Sequence, residues 1–163
     1  MVRGEVYDRT VGRRVRIWSA AKGLLVPAVL LAAGTAPVAA DATTLWSRLH
    51  RIETAFRDGD ALSLRQSFSR GKVRLDLRDV TDGPGSYGPG QLQAMFGRIF
   101  DRGPTREFAF RKGEVTRTSP DTAFARGRWV RGRAGGPDCA DTLTFTLHEE
   151  SGDWRILEIR SSR

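Results

Sequence analysis

Residues 105–160 read TREFAFRKGEVTRTSPDTAFARGRWVRGRAGGPDCADTLTFTLHEESGDWRILEIR. Four apolar-rich runs are separated by three clusters of turn formers: Thr118-Ser119-Pro120-Asp121, Gly135-Gly136-Pro137-Asp138 and Ser151-Gly152-Asp153. Such clusters reverse a chain, because Gly, Pro, Asp and Ser preset or satisfy turn backbone. The spacing predicts four successive antiparallel strands. The first opens at Phe108 and Phe110, and the second runs from Ala123 to Arg131. In the third, Leu143, Phe145 and Leu147 alternate with Thr142, Thr144, Thr146 and His148, which gives an apolar face and a Thr–His face. The last, Trp154 to Arg160, breaks parity: Trp154 and Ile156 fall on one side, Leu157 and Ile159 on the other. That break predicts either a strand buried on both faces or a bulge near Ile156.

Upstream of this stretch the period is helical. Leu45, Leu49, Ile52 and Phe56 form one stripe of a helix with Asp41 or Thr43 as its cap, ended by Asp58-Gly59-Asp60. A short second helix, Ala61 to Phe68, offers Leu62, Leu64 and Phe68 for burial. Val73, Leu75 and Leu77 then alternate with Arg74, Asp76 and Arg78 as a half-buried strand. A turn-rich segment, with Ser86-Tyr87 as a scrap of strand, leads to Pro89. Pro89 suits the first position of a helix, where its missing N–H costs nothing. That helix carries Leu92, Phe96 and Ile99 on one stripe, Met95 and Phe100 beside it, and stops at Asp101-Arg102-Gly103-Pro104.

The first forty residues differ from the rest. Arg3, Arg9, Arg13, Arg14, Arg16 and Lys22 precede an apolar run from Leu24 to Ala33, and the segment closes on Val38-Ala39-Ala40. A basic start, a short apolar middle and small residues at the end are what a secretory signal needs. The run is too short and too interrupted by Pro27 for a stable membrane span. The expected organisation is a signal peptide over 1–40 and a single domain over 41–163, exported to the periplasm or the extracellular space. The chain's net charge is +8, from 27 basic and 19 acidic residues. Residues 1–40 hold six and two of these, leaving 21 and 17 and a net +4 for the domain. Cys139 is the single cysteine, so no internal disulfide is available and stability must come from core burial.

The element order is two helices, a strand, a third helix and four antiparallel strands. Local runs accompany it: Phe68-Ser69 before Val73-Arg74-Leu75, Ser86-Tyr87 before a helix, Phe108-Ala109-Phe110, Ala125-Arg126-Gly127 and Trp154-Arg155-Ile156. Together they resemble an exported bacterial branch of the nuclear-transport-factor-2-like superfamily, over Asp41 to Arg160. The resemblance implies a cone-shaped, cystatin-like α+β fold. In it, N-terminal helices pack on a curved antiparallel sheet of four long strands plus one or two short ones. It also implies a pocket at the open end of the cone and a homodimer through the outer sheet face. Members include isomerases, dehydratases and cyclases as well as binding proteins. No catalytic set transfers residue by residue, so no catalytic residue is assigned, and the fold by itself carries no function.

The residues bound the chemistry further. His50, His148 and Cys139 show no metal-ligand spacing, and no cofactor motif is present. Neither histidine is accompanied by a nucleophile signature, and the parity of His148 puts it on the solvent or dimer face. The glycines and prolines of Gly83 to Gly90 are turn chemistry, lacking the Lys-Ser or Lys-Thr of a nucleotide loop. Arg126 and Arg128 share one strand face, with Arg131 and Arg133 on the other. An exposed face whose arginines pair with neighbouring acids is expected, so nucleic acid is not an expected partner. Ala123, Ala125, Gly127 and Trp129 share a face whose small residues admit a close neighbour. With Tyr87, Phe96 and Phe110, the residues Ala125, Gly127 and Trp129 are the candidates to line an apolar pocket, although each taken singly is an ordinary core residue. The expected function is therefore non-enzymatic binding of a small apolar ligand or a protein partner. The rival is an acid–base enzyme using Tyr87, His148, Glu158 or Asp76. A third reading is weak binding of an acidic partner or nucleic acid through the Arg-rich strands.

Overall fold

The Leu45–Leu49–Ile52–Phe56 stripe is the buried face of helix α1 (Val38–Asp58), and it faces the concave side of a six-stranded sheet. The computed structural model describes residues 38–162 except Asp79, Asp82 and Ala134, with side chains from Thr44 onward. These lie within the unit Ala36–Arg163. The expected signal segment lies outside the described residues up to position 37. Helix α1 is already formed at Val38, so Asp41 and Thr43 sit within it and do not cap it.

Gly59, with φ +66°, ends α1 in the left-handed region that suits glycine. Asp60 then caps helix α2 (Ala61–Arg65), its carboxylate accepting from the Leu62 and Ser63 N–H groups at 3.0 Å. The second helix stops three residues short of the expected Phe68. Leu64 and Phe68 are buried, but Leu62 is 58% exposed. The reason is angular: two residues advance a helix by about 200°, which carries Leu62 away from the side holding Leu64.

Strands β1 (Val73–Asp76) and β2 (Gly85–Tyr87) form a short antiparallel pair, and helix α3 (Pro89–Arg102) starts at Pro89 as expected. The Gln91 side chain reaches back to accept from the Gly88 N–H at 2.9 Å. Four long strands follow: β3 (Thr105–Ser119), β4 (Thr122–Arg133), β5 (Gly136–Glu150) and β6 (Asp153–Ser162). The sheet order is β2-β1-β6-β5-β4-β3, antiparallel except for the β1–β6 pair, which is parallel. Hairpin turns are tighter than the sequence clusters suggest. Pro137 and Asp138 belong to β5, and Ser151 (φ 56°) with Gly152 (φ 81°) makes a two-residue loop of the primed kind that matches strand twist.

The parity break in the last strand is a bulge. Thr146 pairs with Glu158 and Leu147 with Ile156, so Leu157 is the extra residue, and Trp154, Ile156 and Ile159 are all buried. A wider shift in β3, between Phe110 and Val115, leaves four residues opposite one. Further shifts lie between Thr105 and Glu107, Arg117 and Ser119, and Arg131 and Arg133, and such irregularities bend a sheet and increase its twist. Strand β3 is also an edge, so N–H groups on its outer side have no ladder partner. Glu53 of α1 accepts from the Phe110 N–H at 2.6 Å and meets that need. At the middle of the helix, the buried Arg48 pairs with Asp153, which also holds Arg155 at 2.8 Å. Among the described residues no helix is long and apolar enough to cross a membrane.

The core is aromatic, and Phe56 is its hub. Its ring stacks on Phe108 at 4.3 Å and meets Phe96, Phe100, Trp129 and Phe145 edge-on at 5.2–5.9 Å. Phe56→Ala would leave a cavity bordered by four elements and is expected to cost about 3–5 kcal/mol in urea unfolding. Leu62→Ala, on the exposed flank, is expected to stay within about 0.5 kcal/mol.

Candidate functional site

The inward face of β4 runs Ala123, Ala125, Gly127, Trp129 and then Arg131, so the strand's alternation turns an arginine inward just beyond the aromatic core. On β5 the same parity that buries Leu143 also turns Asp141 inward, and it is only 8% exposed. The two charges meet: Arg131 Nη2 lies 2.7 Å from Asp141 Oδ2. The guanidinium also stands 4.5 Å over the Trp129 ring, whose Nε1 donates to Thr105 Oγ1 at 3.0 Å. Cys139 pairs opposite Arg131 in the ladder and places its Sγ 3.9 Å from the same Asp141 oxygen.

This end of the sheet borders a cavity of about 340 Å³. Val80, Met95 and Ile99 give it an apolar side. Arg98 and Arg102 from α3, and Arg131 and Arg133 from β4, give it a basic one, with Cys139 between. Gly103 and Gly132 close its back. A Cβ on Gly103 would land on the Gly132 carbonyl oxygen, and the Gly132 N–H donates to the Pro104 carbonyl at 2.9 Å. The end of α3 and the end of β4 therefore touch backbone to backbone.

The six residues expected to line an apolar pocket stand elsewhere. Phe96, Phe110, Ala125 and Trp129 are buried in the core, and none of the six lines this cavity. Tyr87 packs partly buried against the core from β2. Gly127 does admit a close neighbour, and the neighbour is protein. A Cβ there would come within 3.0 Å of the Phe108 ring and 3.3 Å of the Phe110 ring. The space those small residues leave is used by aromatic side chains of the adjacent strand.

The acid–base candidates also lie away from the cavity. His148 is on the outer sheet face, its Nδ1 3.8 Å from Asp121 Oδ2. The Asp121 carboxyl sits below the usual carboxylate range, chiefly because the Ser119 hydroxyl donates to it. His50 is 72% exposed beside Glu53. Glu158 faces outward between Arg74 at 3.4 Å and Arg160 at 3.8 Å. With Arg128 2.6 Å from Glu107, the outer face shows arginines interleaved with acids, as the sequence suggested. Glu158, Arg160, Arg126, Glu114 and Phe124 border a second depression of about 560 Å³ on that face. Among the described residues no cluster of His, Cys, Asp or Glu is arranged to hold a metal ion.

Arg98, Arg102, Asp141 and Cys139 were not among the sequence candidates as a group. A signal for part of the site was present: Arg131 and Asp141 both carry charge at inward parity, which demands a partner. Nothing in the spacing links Arg98 and Arg102 to them, because that link depends on how α3 docks.

No family model matches the chain, and no curated protein matches it. Solved structures do. A Shewanella oneidensis NTF-2 like protein of unknown function aligns with TM-score 0.59 at 19% identity, over 75% of this chain and 98% of that one. A ketosteroid isomerase-like protein from Erwinia carotovora atroseptica gives 0.59 at 19%, over 74% and 93%. A Nostoc punctiforme domain of unknown function with a cystatin-like fold gives 0.60 at 14%, over 78% and 79%. The fold is thus the nuclear-transport-factor-2-like, cystatin-like α+β fold that the sequence resembles.

Asp141→Asn removes the counter-charge of the largely covered Arg131, whose side chain is 14% exposed, and is expected to lower stability by about 1–3 kcal/mol. The double change Arg131→Met with Asp141→Leu should recover most of that loss. Urea unfolding of Arg131→Met, of Asp141→Leu and of the double closes the cycle.

Proposed function

We propose that this chain is a non-catalytic binding domain that holds a small molecule with an apolar part in the cavity between α3 and β4. In this reading it acts outside the cytoplasm, once residues 1–40 are removed. The supporting observation is the cavity lining. Val80, Met95 and Ile99 offer carbon, while no carboxyl, imidazole or phenol lines it among the described residues. Acid–base catalysis needs a titratable group within reach of the substrate, with a partner to set its state. Cys139 is the one nucleophile there, and its neighbour is the carboxylate of Asp141 with no imidazole to serve as base. A ligand site therefore fits this lining better than an isomerase or dehydratase site does.

A second copy of the chain is the proposed macromolecular partner, through the outer sheet face. Phe124 is 39% exposed there, in the depression bordered by two acids, Glu114 and Glu158, and two arginines, Arg126 and Arg160. A two-fold axis sets a patch against itself, so balanced charges can pair across it.

Because Cys139 is the single thiol, its alkylation by N-ethylmaleimide reports cavity occupancy. Octanoate and 1-octanol, used as probes, are expected to slow the reaction in the wild type and not in Ile99→Trp, whose indole would fill the cavity. An unchanged rate with every apolar probe would sink the ligand reading. For the dimer, sedimentation is expected to show two subunits in the wild type and one in Phe124→Glu; a wild-type monomer at all concentrations refutes it.

A further inference from the structure

The cavity wall is more basic than an apolar ligand requires. Four arginines border it, and one of them, Arg131, is answered by Asp141. Arg98, Arg102 and Arg133 have no ion pair among the described residues, and the other acids nearby are engaged or aimed elsewhere. Asp138 pairs with Arg106 at 3.9 Å, and Asp101 is exposed and does not line the cavity. Asp79 and Asp82 flank Val80 in sequence and lie outside the described residues.

Two forces oppose this arrangement. Arg98 and Arg102 are four residues apart on one helix face, where like charges repel. The C-terminal end of α3 carries roughly half a negative charge, which would favour a basic residue there and disfavour an anion. The helix end accounts for Arg98 and Arg102. It does not account for Arg131 and Arg133, which approach from the facing strand, nor for the buried Arg131 Nε that has no partner within the protein. Among the described residues, three positive charges without an ion pair face half a negative one.

Resting on the reading of this cavity as a ligand site, we propose that its ligand is an amphipathic oxyanion. A carboxylate or phosphate monoester lies among Arg98, Arg102 and Arg133, and a short apolar body lies on Val80, Met95 and Ile99. Arginine suits this task because its planar fork meets two oxygens at once. The size is set by the space. At about 30 Å³ per water-sized group, 340 Å³ holds on the order of ten non-hydrogen atoms. That matches an eight-carbon acid.

The test compares octanoate, octyl phosphate, 1-octanol and inorganic phosphate for protection of Cys139 and by calorimetry. At least one of the two amphipathic anions is expected to bind about tenfold tighter than 1-octanol, as charge-assisted hydrogen bonds provide, and to weaken as salt rises. The tighter of the two identifies the head group. Arg98→Gln with Arg102→Gln, both exposed helix positions, should reduce anion affinity by about tenfold or more and leave 1-octanol unchanged. Equal binding of 1-octanol and octanoate overturns the anion while leaving the apolar cavity standing. Inorganic phosphate binding as tightly as octyl phosphate overturns it by making the apolar body irrelevant. If no compound protects Cys139, the cavity reading falls with it.

Discussion

One ring sets the geometry of this protein. Phe56 touches aromatic partners from α3, β3, β4 and β5, so the helix that carries it cannot slide without breaking five contacts at once. Interiors tolerate little empty space, and a hub of interlocking rings is an effective way to fill a curved sheet. Arg48 with Asp153 and Glu53 with the Phe110 N–H then fix the helix at two points on the N-terminal side of the hub. Hydrophobic burial positions α1, and these polar contacts set its tilt.

A filled centre has a consequence for function. The concave side of the sheet has no room for a ligand where the aromatics meet, so free volume is displaced to the end of β4. There the inward parity continues past Trp129 into Arg131. The same alternation that builds the core thus delivers a charge at its margin, and Asp141 arrives from β5 by the same rule. The two residues are paired because neither could be buried alone. The cavity beside them is the place where core, helix end and strand end fail to interlock.

Strand count, element order and the Thr–His outer face were legible in the sequence, since each follows from local parity or turn chemistry, and a bulge near Ile156 was one of the two readings that the parity break allowed. The start of α1 and the end of α2 were not, because helix length depends on what the ends meet in space. The exposure of Leu62 was legible in principle and missed by treating apolar residues as interchangeable. The pocket candidates failed to gather for a physical reason. Phe96, Phe110, Ala125 and Trp129 do face inward, as parity requires, but parity does not say whether inward-facing rings enclose a space or occupy it. Arg98 and Arg102 illustrate the remaining gap. Their partners across the cavity are about thirty residues away in sequence, and only the docking of α3 on the end of β4 brings them near.

The contact of Gly103 with Gly132 separates what can change in this protein from what cannot. Gly103 cannot gain a side chain without prising α3 from β4, because a Cβ there would land on the Gly132 carbonyl oxygen, so the distance between the two cavity walls is fixed by main chain. The side chains that give the cavity its character are another matter. Arg98, Arg102 and Arg133 are exposed, bear little on the core and can be exchanged at small cost in stability. A rigid frame with replaceable lining lets one backbone diversify its ligand by a few surface substitutions. A lineage that keeps Gly103 and varies the arginines would alter specificity while leaving folding untouched.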